Sequence, residues 1–167
     1  MRAFVLALSL LVSHAAKAQD VQNGQAFGDW AVNCSAVAVG QTACVLQQQI
    51  LRSEDRAFVA QLLAFRTPDH SKTFLSARVP VGVYFPAGFA IRPENSDEIL
   101  RFVWQSCGRD LCEAAVEIDA ETLAKLTAEG TTILGAYRPN IQAENFVFSF
   151  SMTGAAQGLD ALKRAQE

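Results

Sequence analysis

The sequence predicts an all-β fold: an antiparallel β-sandwich with one or two short helices and two local disulfides. Three observations carry this. Several stretches alternate apolar and polar residues with period two, the mark of a strand with one buried and one wet face. Clusters of Gly, Pro, Asn and Asp recur at short intervals between them. Four cysteines, Cys34, Cys44, Cys107 and Cys112, sit in a chain whose start reads as an export signal.

The start of the chain sets the context. Arg2 supplies a positive n-region, residues 3–12 (AFVLALSLLV) an apolar run, and Ala16-Lys17-Ala18 an A-x-A cleavage box. This order of parts defines a secretory signal over residues 1–18. The run is shorter than the roughly 20 apolar residues that span a bilayer. Cleavage after Ala18 leaves residues 19–167 as one domain. Losing Arg2 and Lys17 leaves 12 basic residues against 17 acidic ones, a mature net charge of −5. Such a balance disfavours nucleic acid as a partner. No second long apolar segment follows, so no transmembrane segment is expected. The composition says nothing of oligomeric state.

In chain order, strands are expected at 27–34, 43–52, 57–66, 73–79 and 88–92, and then around Leu100-Phe102-Trp104. Cys112, Ala114, Val116 and Ile118 alternate with Glu113, Ala115 and Glu117 in the next. A strand at 131–138 precedes the last, where Phe146, Phe148, Phe150 and Met152 alternate with Val147, Ser149 and Ser151. The phenylalanine stripe reads as sandwich core rather than a ligand pocket, and Trp30 as core beside the first cysteine. Helix signals are few. Asp119 caps a helix at 120–129 that stops at Gly130, with Leu123 and Leu126 facing inward. The tail, 157–166, is the second candidate, with Leu159 and Leu162 three apart.

An even cysteine count in an exported chain implies disulfides, and four cysteines allow three pairings. The favoured one is Cys34–Cys44 with Cys107–Cys112, because each pair flanks a short turn-like stretch. Redox catalysis wants Cys-x-x-Cys, and zinc wants paired close spacings; neither occurs.

The search for chemistry returns little. His70 is the one mature histidine, in the polar turn Asp69-His70-Ser71-Lys72, and reads as a solvated turn residue rather than a triad member. Carboxylates such as Glu54, Asp55, Glu94, Asp97 and Glu98 sit beside turns. Two of them meeting in space would make a carboxylate-dependent hydrolase acting on an envelope glycan, which is the alternative function. No phosphate loop or calcium loop is present, so no catalytic residue, metal or cofactor is assigned.

Several motifs stand in a familiar order: Asp29-Trp30-Ala31-Val32-Asn33-Cys34, then Pro80-Val81-Gly82-Val83-Tyr84-Phe85-Pro86-Ala87-Gly88, then Cys107 to Cys112, then Ser151-Met152-Thr153-Gly154 and Ala161-Leu162. In this the chain resembles the invasion-associated locus B family of bacterial envelope proteins over nearly its whole mature length. One departure is Ala155, where the family usually has an aromatic residue. The resemblance implies a periplasmic or surface-associated, immunoglobulin-like sandwich and offers no catalytic residues to carry over. Some members are linked to host-cell invasion, while most belong to bacteria with no known host cell to invade.

The expected function is therefore that of a non-enzymatic exported envelope protein, periplasmic or secreted or associated with the outer membrane, that binds another protein or a surface polymer. The candidate partner contact is Val81, Val83, Tyr84 and Phe85. They form an apolar stretch between two prolines, which suits a sheet edge. The competing reading is that this stretch packs across the end of the sandwich.

Overall fold

The structure is a computed structural model that describes residues 21–165; the export signal expected at 1–18 and its cleavage point lie outside them. The strands among the described residues are β1 (Ala26–Phe27), β2 (Trp30–Ala38), β3 (Gln41–Leu51), β4 (Phe58–Arg66), β5 (Thr73–Pro80), β6 (Phe89–Pro93), β7 (Leu100–Cys107), β8 (Leu111–Ile118), β9 (Thr132–Tyr137) and β10 (Phe146–Ser151). Helix α1 (Ala120–Leu126) separates β8 from β9, and α2 (Ala155–Arg164) follows β10.

All the strands are antiparallel and form one ladder in the order β1-β2-β3-β4-β5-β8-β7-β6-β9-β10. The ladder doubles back on itself at β7. Its first residues pair with β6, Phe102 opposite Phe89, and its later ones with β8, Val103 opposite Ala115. The two halves thus face each other as layers. Trp30, Leu62 and Leu75 from one line a residual void of about 10 Å³ together with Ile91, Phe102 and Phe150 from the other. Filling the interior to that degree is what a sandwich core requires.

The alternations place the core as expected. Phe148, Phe150 and Met152 are buried and Val147 is exposed; Cys112, Ala114 and Ile118 are likewise buried on β8. Trp30 is fully buried, and its indole Nε1 donates to the Ser151 carbonyl at 3.2 Å, tying β2 to the end of β10. Gly135 on β9 leaves room for Phe148, since a Cβ there would stand 2.6 Å from the ring.

Both disulfides form between residues that the ladder already sets opposite each other: Cys34–Cys44 across β2 and β3, and Cys107–Cys112 across β7 and β8. Each closes one hairpin.

The helices differ slightly from expectation. Asp119 caps α1 by accepting the Thr122 N–H at 2.7 Å, and Leu123 and Leu126 are buried. The helix ends at Leu126 rather than 129, because the Thr127 hydroxyl bonds back to the Leu123 carbonyl and the chain turns at Gly130, whose φ is +74°. Helix α2 starts two residues earlier than expected. Ala155, Leu159 and Leu162 are buried, and Gly158 lies against the Leu46 side chain of β3. Ala155 is wholly buried at the first helical position, so the small residue there belongs to close docking of the helix.

The stretch between the two prolines is not a sheet edge. β5 ends at Pro80, and the chain then crosses the end of the sandwich with a single 3₁₀ turn, Phe85–Ala87. The prolines suit that crossing: Pro86 lies in the first turn of the 3₁₀ segment, where no N–H is needed.

Candidate functional site

No free cysteine remains, and no group of three or more His, Cys, Asp or Glu side chains able to hold a metal occurs among the described residues. His70 is half-buried rather than solvated. It takes a left-handed φ of +57° at the tip of its turn, its N–H bonding to the Thr67 carbonyl at 2.8 Å, and its Nδ1 is buried without a partner. The turn is organised by Asp69, which accepts from the hydroxyls of Thr67 and Ser71. Those bonds hold the Asp69 carboxyl down at about 2. Asp69 and Ser71 are thus engaged with each other and not with the imidazole, so the sequence order Asp-His-Ser builds a turn and no Ser–His–Asp relay. The neighbouring Lys72 is spent on Glu117 at 2.8 Å.

Of the carboxylates read from the sequence, Asp55 pairs with Arg52 at 3.4 Å and Glu98 with Lys125 at 3.5 Å. The best-built carboxylate is Glu113, which accepts from Ser76 Oγ at 2.9 Å and Arg78 Nε at 2.7 Å. It ends a polar chain across five adjacent strands: Asn33 and Gln61 both donate to Gln47, and Arg78 reaches Gln61 at 3.5 Å. These side chains satisfy one another on the outer face of the sheet.

The proline-flanked segment belongs to a cluster of loops at one end of the sandwich. Val81 N–H donates to the Asp110 carbonyl at 3.1 Å, and Tyr84 N–H to the Arg138 carbonyl at 2.9 Å. The Arg138 guanidinium lies 5.1 Å from the Tyr84 ring centre, a cation–π distance, and donates to the carbonyls of Ala143 and Ile141 at 2.6 and 2.8 Å. One arginine therefore joins the 81–88 and 138–145 loops. Phe85 packs on Trp104 with ring centres 5.4 Å apart.

The structure divides the four candidate contact residues. Val81 and Phe85 are exposed, at 45% and 51%, Tyr84 is half-buried beneath Arg138, and Val83, at 9%, is part of the core. Val83 lies inside because the segment packs across the sandwich end, which turns alternate apolar residues inward. Ile141, 58% exposed, joins the surface cluster from the facing loop. Ile141, Arg138 and Trp104 are not legible as part of it, since no local pattern brings the 138–145 loop and β7 to the 81–88 segment.

This geometry defines a class: a disulfide-stapled, two-layer antiparallel β protein with exposed apolar loop residues at one end. The sequence model described as "Invasion associated locus B (IalB) protein" matches residues 30–163, and the chain belongs to that family. Among solved structures it is similar to the crystal structure of invasion associated protein B from Bartonella henselae, with a TM-score of 0.69 and 17% identity, over 85% of this chain and 95% of that one. That likeness is one of fold. A search of curated proteins returns no match. The disulfides and the family together point to an extracytoplasmic protein; among the described residues no helix is long and apolar enough to cross a membrane.

Proposed function

We propose that this is a non-enzymatic envelope protein, periplasmic or surface-associated, that binds another protein or a surface polymer. The observation that supports this reading is the exposure of Val81, Phe85 and Ile141 on two loops that Arg138 joins. Apolar side chains exposed on rigidly tied loops are a common form of contact surface. The mature chain starts at Gln19 on this reading, which intact mass of the exported protein checks.

The test is capture of envelope components by the mature protein, comparing wild type with Phe85→Ser, Tyr84→Ser and His70→Ala, each first shown to be folded. Loss of a captured partner with Phe85→Ser, and retention with His70→Ala, is the expected result. Turnover of a glycan or ester substrate, abolished by removing a single carboxylate or His70, would overturn the non-enzymatic reading.

A further inference from the structure

The two ends of the doubled-back ladder leave a slot between β3 and β10. Strand β3 outruns its neighbour: the β2–β3 pairing starts at Ala31 opposite Gln47, so Gln48–Leu51 have no strand partner on that side among the described residues. Which of their backbone groups point into the gap follows from strand alternation. Val32 exchanges bonds with the 24–25 segment (Gly24 N–H to Val32 O, Val32 N–H to Gln25 O). Ala31 and Asn33 therefore face β3, as do Gln47 and Val45 face β2, and Gln49, two residues on, presents its N–H and C=O to the place where β2 has already ended. Asp29, the residue that would continue β2 backwards, has its own N–H on the Thr153 carbonyl at 3.1 Å.

Strand β10 supplies the other wall. Among the described residues it pairs with β9 alone. The Thr132 carbonyl accepts from Glu94 N–H, so Thr132 faces β6, and its opposite number Ser151 faces away from β9. Ser149 and Val147 share that direction. The Trp30 bond to the Ser151 carbonyl agrees with it independently. β10 thus carries a run of outward N–H and C=O groups with no charged residue, proline or bulge along it, the features by which edge strands are ordinarily protected.

Gln49 and Ser149 both line one slot of about 620 Å³. Thr131, Thr132 and Ser151 line it too, as does Gln48, whose amide oxygen is buried without a donor. Asp29 lies where β3 leaves β2, and Arg56 at the hairpin where β3 ends. Neither has an ion-pair partner among the described residues. The one aromatic ring in the lining, Phe150, is buried, so no platform is offered for stacking a sugar.

We infer that this slot takes an extended peptide segment of another protein, added as a strand between β3 and β10. A strand presents N–H and C=O groups on both its edges, about 4.8 Å from each neighbour, and that is the complement of two facing unpaired edges. One carboxylate and one cation suit a segment of mixed or no net charge rather than a polyanion. The inference rests on the binding reading above and names a partner chemistry for it, at a site separate from the Phe85 loops.

The probe is a displayed library of random eight-residue peptides selected against the mature protein, with N-acetylglucosamine oligomers as the glycan arm. Expected is a family of selected peptides that slow amide exchange at Gln49, Val147 and Ser149 in the wild type. Ser149→Pro, which removes an outward N–H and leaves the β9 pairing in place, should weaken their binding at least tenfold, and Val39→Ser, in the exposed turn between β2 and β3, should leave it within twofold. The exchange measurement needs no variant and stands even where Ser149→Pro unfolds. The inference falls if no peptide is selected, if protection maps elsewhere, if glycan oligomers protect these amides instead, or if β10 protection accompanies self-association. Envelope capture with Phe85→Ser tests the loops alone; the slot stands or falls on peptide selection and on protection of these amides.

Discussion

The ladder has two ends, at β2 with its short cover β1 and at β10, and the chain finishes them differently. At the β2 end the edge is covered. β1 pairs with Trp30 and Ala31, the 24–25 segment takes both backbone groups of Val32, and the Asn23 side chain accepts the Cys34 N–H at 2.8 Å. At the β10 end no described residue pairs with the outer edge at Val147 or Ser149, and the strand is held by β9 on one side and by its inward phenylalanines beneath. Phe148 stacks among Phe89, Tyr137, Phe146 and Phe150, with ring centres 6.1 to 6.4 Å away. One edge is secured by backbone hydrogen bonds, the other by side-chain packing.

That contrast can be broken from either end. The largest effect is expected of Phe148→Ala, which removes the centre of the packing that anchors β10: a loss of about 3–5 kcal/mol in denaturant melts. A loss no greater than that of a surface change would mean that β10 is held by something other than its inward face. Next is Gly154→Ala. Gly154 has φ +88°, and a Cβ there would collide with the Phe27 carbonyl where the covered edge crosses the end of β10. The left-handed backbone alone accounts for about 1–3 kcal/mol, with the collision added, read as a fall in the melting temperature.

A smaller effect is expected of Asn23→Ala. It deletes one exposed backbone cap, costing about 1 kcal/mol, and should speed exchange of the Cys34 amide towards that of Ser149. Unchanged exchange at Cys34 would show that the cover does not depend on that side chain. The smallest belongs to Ser149→Ala, on the outward face of β10, expected within about 0.5 kcal/mol of wild type. If it matched Phe148→Ala, the strand would be one residue out of register, since such a slip exchanges the two faces.

These features were not equally legible. The nine longer strands and both disulfide pairs follow from local pattern, because alternation and turn residues act over a few positions. Phe148 inward and Ser149 outward need only period two. The short β1 escaped notice: a two-residue strand has no period to read. The burial of Val83 is not legible, because an apolar run between prolines looks the same whether it forms an edge or closes an end; which of its residues point inward depends on loops far along the chain. The slot is less legible still. It exists because β2 starts late relative to β3 and because β10 ends the ladder, two facts of long-range order that no window of sequence contains. His70 shows the reverse case, where suggestive neighbours, Asp69 and Ser71, are consumed by the turn they build.

One further consequence follows from β7. Because its first residues are laddered into one layer and its last into the other, neither layer has a boundary at which loosening can stop. To release β6 from Phe102 is to free the strand that also holds β8. A fold with a shared strand should therefore come apart as a single cooperative unit rather than layer by layer, and fluorescence of Trp30, in β2, and of Trp104, in β7, should report the same transition.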